Sequence, residues 1–260
     1  MDRGRILFVF IILLAVCGCS PVANCNGGQN TRSTVRILFI GNSYTYANDL
    51  PGKFARLACA GGHEVETDMA AEGGWTLADH AASAQTLEKL GQQKWDFVIL
   101  QEQSEIPAMD YYRKQSMVPA ARQLVGKIKA MGAKPILLMT WGHRDGLPQA
   151  GLQNFKTMQA QLYVGTMGIA KELNVPVARV GDAWLMGRLQ PTPLDLWQAD
   201  GSHPNEMGTY LAACVFYATI FRQSPAGLTY RSGLSQETAQ TLQTLAADSV
   251  LKEPWRWNLP

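Results

Sequence analysis

The sequence predicts an α/β protein, a three-layer α/β/α sandwich around a five-stranded parallel sheet. Three observations carry that expectation. Short apolar runs rich in β-branched and aromatic residues recur along the chain, as in VRILFI from Val35 and WDFVIL from Trp95, and read as strands buried on both faces. Each run stops at a polar or glycine-containing turn. Each turn then gives way to a segment with helical spacing, and strand–helix alternation of this kind implies right-handed crossovers and parallel pairing.

The first run, at residues 35–40, ends at Gly41-Asn42-Ser43. A glycine permits the tight turn, and the small hydroxyl residue behind it is either a helix cap or a nucleophile at the carboxyl edge of the sheet. Residues 50–60 carry Leu50, Phe54, Leu57 and Ala58 on one helical face, and Gly61-Gly62 ends that helix. Residues 63–69 form the second predicted strand, followed by the loop Glu72-Gly73-Gly74-Trp75-Thr76. Residues 77–90 predict a helix, 95–100 the third strand, and 111–131 a long helix. The fourth strand spans 135–140, a helix 153–173, and the fifth strand 175–180. Short helical spacing at 182–189, an apolar helix at 204–221 and a terminal helix at 237–251 complete the order.

Composition narrows the class. With 47% hydrophobic and 17% charged residues among 260, the chain has the makings of a folded protein. A net charge of +2 without a basic run gives no reason to expect nucleic acid as a partner. Residues 1–20 have Arg3 and Arg5, an apolar core at 6–16 and a small-residue exit, the pattern of a secretory leader. Residues 16–19 resemble a bacterial lipobox, with Gly18 before the cleavage point and Cys19 as the lipid-bearing residue. Plain secretion is the alternative. We therefore expect a signal peptide at 1–18, a flexible tether at 19–33 and one domain at 34–260. The lipid at Cys19 would be the only link to a membrane. Cys25, Cys59 and Cys214 have unrelated spacings, and the helical settings of Cys59 and Cys214 suggest buried thiols, with an incidental disulfide in an oxidising envelope compartment as the alternative.

Chemistry should gather at the strand ends. The loops there hold Ser43, Gly73-Gly74, Gln101-Glu102-Gln103-Ser104 and Trp141-Gly142-His143-Arg144. A further loop reads Asp200-Gly201-Ser202-His203-Pro204, with the proline at the expected helix start. An Asp three residues before a His can accept from its Nδ1–H, fixing the tautomer and ring that a general base needs. The competing reading is that Asp200 and Ser202 cap the helix. Of the four histidines, His63 and His80 lie away from any predicted strand-end turn. No cluster has metal-ligand spacing, so we expect neither a metal nor a cofactor. The pattern Gly-x-Ser-x-Gly is absent around Ser43, as is a dinucleotide-binding glycine motif.

Taken together, Gly41-Asn42-Ser43, Gly74 and Asp200-x-x-His203 resemble three conserved blocks of the SGNH hydrolase superfamily, the GDSL-like esterases, over residues 35–221. The resemblance implies Ser43 as nucleophile, His203 as base and Asp200 as its partner. It implies the backbone of Ser43 and Gly74 as oxyanion donors. The superfamily's third block, Gly-x-Asn-Asp, is replaced here by QEQS, an element similar to one in a subgroup of bacterial envelope proteins. A Gln amide offers the same donor as Asn with one more methylene. If the strand continued, alternation would put Gln101 and Gln103 on the same side, and either could complete the hole.

Trp75, Trp141 and Trp197 lie at or near these loops and suggest an aromatic rim that suits a sugar ring. The alternative is that they plug the core. His143 and Arg144 are either substrate contacts or solvated loop residues. The expected activity is deacetylation of a carbohydrate ester. A sugar acyltransferase and a non-catalytic glycan-binding protein remain open. Trp255-Arg256-Trp257 reads as a packing anchor.

Overall fold

In β1 (Val35–Gly41) successive side chains point to opposite faces, and both faces are apolar. Ile37 and Phe39 pack into one hydrophobic cluster, Leu38 and Ile40 into another, and all four are essentially inaccessible to water. That alternation recurs in β3 (Phe97–Leu100), where Ile99 joins the first cluster while Val98 and Leu100 join the second. The computed structural model describes residues 33–252. The expected signal peptide, Cys19, the tether through residue 32, and the tryptophans near the C-terminus lie outside the described residues.

The remaining strands are β2 (Val65–Ala71), β4 (Lys134–Leu138) and β5 (Val177–Ala178). All pair in parallel, in the order β2-β1-β3-β4-β5. The chain steps outward from β1 to β2 and then returns past β1 to β3. The switch point therefore lies between β1 and β3, where open α/β sheets leave a crevice at the carboxyl ends.

The helices are α1 (Ser43–Tyr46), α2 (Leu50–Ala60), α3 (Leu77–Ala82), α4 (Ala84–Gly91), α5 (Asp110–Tyr112), α6 (Val118–Ala130), α7 (Phe155–Leu173), α8 (Val180–Arg188), α9 (Glu206–Phe221) and α10 (Gln236–Leu251). Buried residues of α2, α8, α9 and α10 share the cluster on one face of the sheet. Those of α3, α4 and α6, with part of α7, share the cluster on the other. The sandwich therefore has the three layers the sequence predicts.

Three differences from the sequence reading have local causes. The helix expected at 77–90 breaks at Ser83, whose hydroxyl accepts from the backbone N–H of Thr86 and restarts the chain as α4. The helix expected at 111–131 is interrupted by a π-helical stretch, Arg113–Met117. The helix expected to open at Pro204 starts at Glu206, capped by Asn205, whose side chain accepts from the N–H of Gly208. Pro204 instead pairs with Trp197 in an isolated bridge, which frees the preceding loop from helix capping.

Cys59 is disulfide-bonded, which corrects its reading as a buried thiol, and Cys214 is free and buried. Burial raises the thiol pKa of Cys214 far above its ordinary value. Alkylation of the denatured, unreduced protein should label Cys214 and spare Cys59, as read by peptide mass. Modification of Cys59 before reduction would contradict the pairing.

Candidate active site

The turn after β1 is set by two amide side chains. Asn42 caps α1: its Oδ1 accepts from the N–H of Tyr44 at 3.1 Å. Its Nδ2 donates to the carbonyl of Trp75 at 2.9 Å. Gln101, fully buried just past β3, accepts at Oε1 from Asn42 N–H (2.8 Å) and from the Thr45 hydroxyl (2.9 Å). Its Nε2 donates to Asn42 Oδ1 (2.9 Å) and to the carbonyl of Glu102 (2.6 Å). A Cβ at position 41 would collide with Gln101 Oε1 and Thr45 Oγ1, so only glycine allows this approach. Ser43 is thereby the first residue of α1, where a backbone N–H has no partner within the helix.

The second half comes from the loop before α9. His203 Nε2 lies 2.9 Å from Ser43 Oγ, and its Nδ1 lies 2.6 Å from Asp200 Oδ2. An unprotonated carboxylate only accepts, so Nδ1 carries the proton and Nε2 offers its lone pair to the Ser43 hydroxyl. Asp200 Oδ1 also accepts from the N–H groups of Ser202 and His203. Burial, the largest single influence on Asp200, works to raise its pKa. The Ser202 N–H and the His203 ring and N–H outweigh it and hold the carboxyl below its ordinary value.

Arg144 secures this loop. Its N–H donates to the carbonyl of Gly201 at 2.7 Å, and its guanidinium donates to the carbonyl of Gln198 and pairs with Asp195. The indole N–H of Trp141 donates to the carbonyl of Ser202 at 3.0 Å.

Ser43, Asp200 and His203 are thus brought together. Gly74 sits in the loop that Asn42 grips through Trp75, at φ +75°, a backbone state that favours glycine. Among the described residues no hydrogen bond engages its N–H. Gln101 is a correction: both its amide hydrogens are spent inside the turn, so it has no donor left for a ligand. The premise that put Gln101 and Gln103 on one side also fails, because β3 ends at Leu100. Gln103 Oε1 accepts from the N–H groups of Glu105 and Ile106. Its Nε2 has only a 3.5 Å contact with Ser104 Oγ.

Two of the three tryptophans are also corrected. Trp141 is fully buried, stacked between Tyr44 (4.6 Å between ring centres) and Trp184 (4.2 Å). Trp197 is buried too, with its N–H on the carbonyl of Gly142 and the Arg144 and Arg188 guanidinium groups beside its ring. Only Trp75 keeps partial exposure, edge-on to His80. Tyr46, which is exposed, lies with its hydroxyl close to Gly73.

His143 stands between solvent and core, its Nε2 3.2 Å from Ser104 Oγ. Desolvation lowers its pKa, against the pull of Glu105 and Asp200. Tyr44, the residue after Ser43, bonds Ser202 Oγ at 2.6 Å and lies edge-on to the His203 ring. Burial pushes its phenol up to about 12, with hydrogen bonds from Ser202 and Ser104 opposing, so it stays protonated.

The sequence reading missed His80 and Glu102. His80 is fully buried, with Nε2 2.7 Å from the carbonyl of Gly41 and Nδ1 2.9 Å from Thr86 Oγ1, so it does support the Ser43 turn. Desolvation lowers its pKa. The signal was its place between Leu77 and Ala81 on the buried face of α3. Glu102 is a carboxyl 2% exposed, and burial raises its pKa to about 7. A charged residue two positions after a fully apolar strand was its signal. Among the described residues, no group of three or more His, Cys, Asp or Glu side chains is placed to hold a metal ion.

No protein-family model matches the chain, and no curated protein does. Solved structures do match. A DUF4886 family protein from Bacteroides uniformis is 20% identical with a TM-score of 0.74, over 85% of this chain and 96% of that one. An acetylxylan esterase from Geobacillus stearothermophilus is 21% identical with a TM-score of 0.54, over 70% and 92%. These two likenesses establish the fold. A protein from Slackia heliotrinireducens assigned to the SGNH hydrolases is 31% identical with a TM-score of 0.61, over 72% of this chain and 100% of that one. That likeness spans the whole of the relative, and on that ground the chain belongs to the SGNH hydrolase superfamily.

Proposed function

We propose that this protein is a serine ester hydrolase that works through an acyl-enzyme and removes acetyl groups from a carbohydrate. The observation that carries the reading is the unbroken hydrogen-bond chain from Asp200 through His203 to Ser43. In the first step Ser43 Oγ attacks the ester carbonyl carbon as its proton passes to His203 Nε2. Asp200 stabilises the resulting imidazolium. Collapse breaks the bond to the leaving alkoxide, which takes the proton from Nε2. Water then gives a proton to Nε2 and attacks the acyl carbon, and Ser43 Oγ leaves with that proton as acetate is released.

The oxyanion would be held by the N–H groups of Ser43 and Gly74, with Gln103 Nε2 as the side-chain donor. Gln103 is favoured over Gln101 because its carbonyl is anchored while its N–H groups remain nearly free. An uncharged ester suits the surroundings: the charges acting on Tyr44 and His143 include Asp200 and Glu105, both acidic. The Arg144 guanidinium is already committed to Asp195 and Gln198. For the sugar, Trp75 and the exposed Tyr46 flank the Gly73-Gly74 loop and replace the three-tryptophan rim. We assign the chain to the QEQS-bearing envelope subgroup on that element and the leader-like residues 1–20, with Cys19 as lipid anchor.

Ser43→Ala should lower turnover of p-nitrophenyl acetate by at least about a thousandfold with an unchanged melting temperature. Retained activity would refute the nucleophile, and release of acetate from acetylated xylo-oligosaccharides tests the sugar. The two glutamines should separate cleanly. Gln103→Ala should lower kcat about a hundred- to a thousandfold without loss of stability. Gln101→Ala should cost roughly 2–4 kcal/mol of stability, because it strands the buried N–H of Asn42.

A further inference from the structure

Glu102 is a buried carboxyl whose side chain bonds both the start of α3, behind the loop after β2, and the loop after β3. Its Oε1 accepts from the N–H of Leu77 at 3.1 Å and from the N–H of Gln103 at 2.7 Å. Leu77 opens α3 directly after Gly74-Trp75-Thr76, and Gln103 is the proposed side-chain donor. One buried carboxyl oxygen therefore fixes the distance between the loop after β2 and the loop after β3. Its second oxygen, Oε2, is enclosed without a partner among the described residues. Burying a carboxyl this deeply with one oxygen unused is costly, and burial raises its pKa to about 7. A hydrophobic side chain would fill the space at lower cost but could not bridge two N–H groups.

The neighbouring contacts give that bridge its leverage. Asn42 holds Trp75 by its carbonyl, Gln101 holds Asn42, and Glu102 follows Gln101 in the chain. Glu102 closes the ring by returning to Leu77. Asn42 and the Glu72 N–H on the Gly41 carbonyl tie the Gly74 loop to β1, and Glu102 adds the tie from its Leu77 end to the loop after β3. The Thr76–Asp79 capping box stabilises α3 but does not tie it to β3.

We propose that Glu102 is a positioning residue that sets the spacing of the two oxyanion loops by bridging Leu77 and Gln103. The proposal rests on the acyl-transfer reading for its catalytic consequence, while the bridge itself can be read without activity. A donor misplaced by about an ångström can cost on the order of a hundredfold in rate. Truncation should therefore act on turnover more than on substrate binding.

Two measurements test it. In the wild type, amide hydrogen exchange at Leu77 and Gln103 should be slow, and in Glu102→Leu both should accelerate together. Glu102→Gln keeps the accepting oxygen and should protect both amides. In turnover of p-nitrophenyl acetate, assayed well below each variant's melting temperature, Glu102→Leu should lower kcat by at least about tenfold. KM should stay within about threefold, and Glu102→Gln should recover most of the rate.

Fast exchange at either amide in the wild type would overturn the bridge, and this holds even if Glu102→Leu does not fold. Unchanged kcat in a folded Glu102→Leu, or an equal loss in Glu102→Gln, would overturn the positioning role. A wild type that binds and protects as described but turns over no ester would instead count against the acyl-transfer reading.

Discussion

The structure depends on a buried pair of amides. Asn42 and Gln101 exchange direct hydrogen bonds in both directions, backbone N–H to Oε1 at 2.8 Å and Nε2 to Oδ1 at 2.9 Å. This joins the ends of β1 and β3 at the point where the sheet changes direction. Such groups are worth little net when satisfied and much when broken, so the turn has essentially one conformation. Gly41 must lack a side chain to admit the pair, and His80 holds the Gly41 carbonyl from below. The position of Ser43 follows from these neighbours more than from its own contacts.

On the other flank the anchoring is aromatic. Tyr44, Trp141 and Trp184 form a nearly parallel column through the core, and Trp197 closes it from the side. The column reaches the acid–base loop by two polar handles, the Tyr44 hydroxyl on Ser202 and the Trp141 N–H on the Ser202 carbonyl. Asp200 is exposed, so the rigidity of this loop comes from Arg144 and the indoles and not from burial of the carboxylate. Ser43 and His203 meet where the amide turn and the aromatic column adjoin.

Most of the fold was legible because it rests on apolar periodicity. The runs at Val35 and Trp95 could hardly be anything but buried strands, and nearly every predicted element is found within a few residues. The Asp200–His203 pairing was legible because it is local, three residues within one loop. What failed was the direction of single side chains. Trp141 and Trp197 follow or precede strand-end loops, as rim residues do, and only the three-dimensional path shows them turned inward. Gln101 and Gln103 look equivalent in a list, but the strand stops one residue before Gln101, so alternation does not apply. His80 seemed remote because its target, the Gly41 carbonyl, is thirty-nine residues away.

In the proposed mechanism, His203 activates the Ser43 hydroxyl in a preformed site. The most direct measurement is reaction of the folded protein with a fluorophosphonate, followed by peptide mapping of the adduct, in the wild type and in His203→Ala. A single adduct should form on Ser43, and the substitution should suppress it. An adduct on another serine, or equal labelling of Ser43 with and without the imidazole, would contradict the activation.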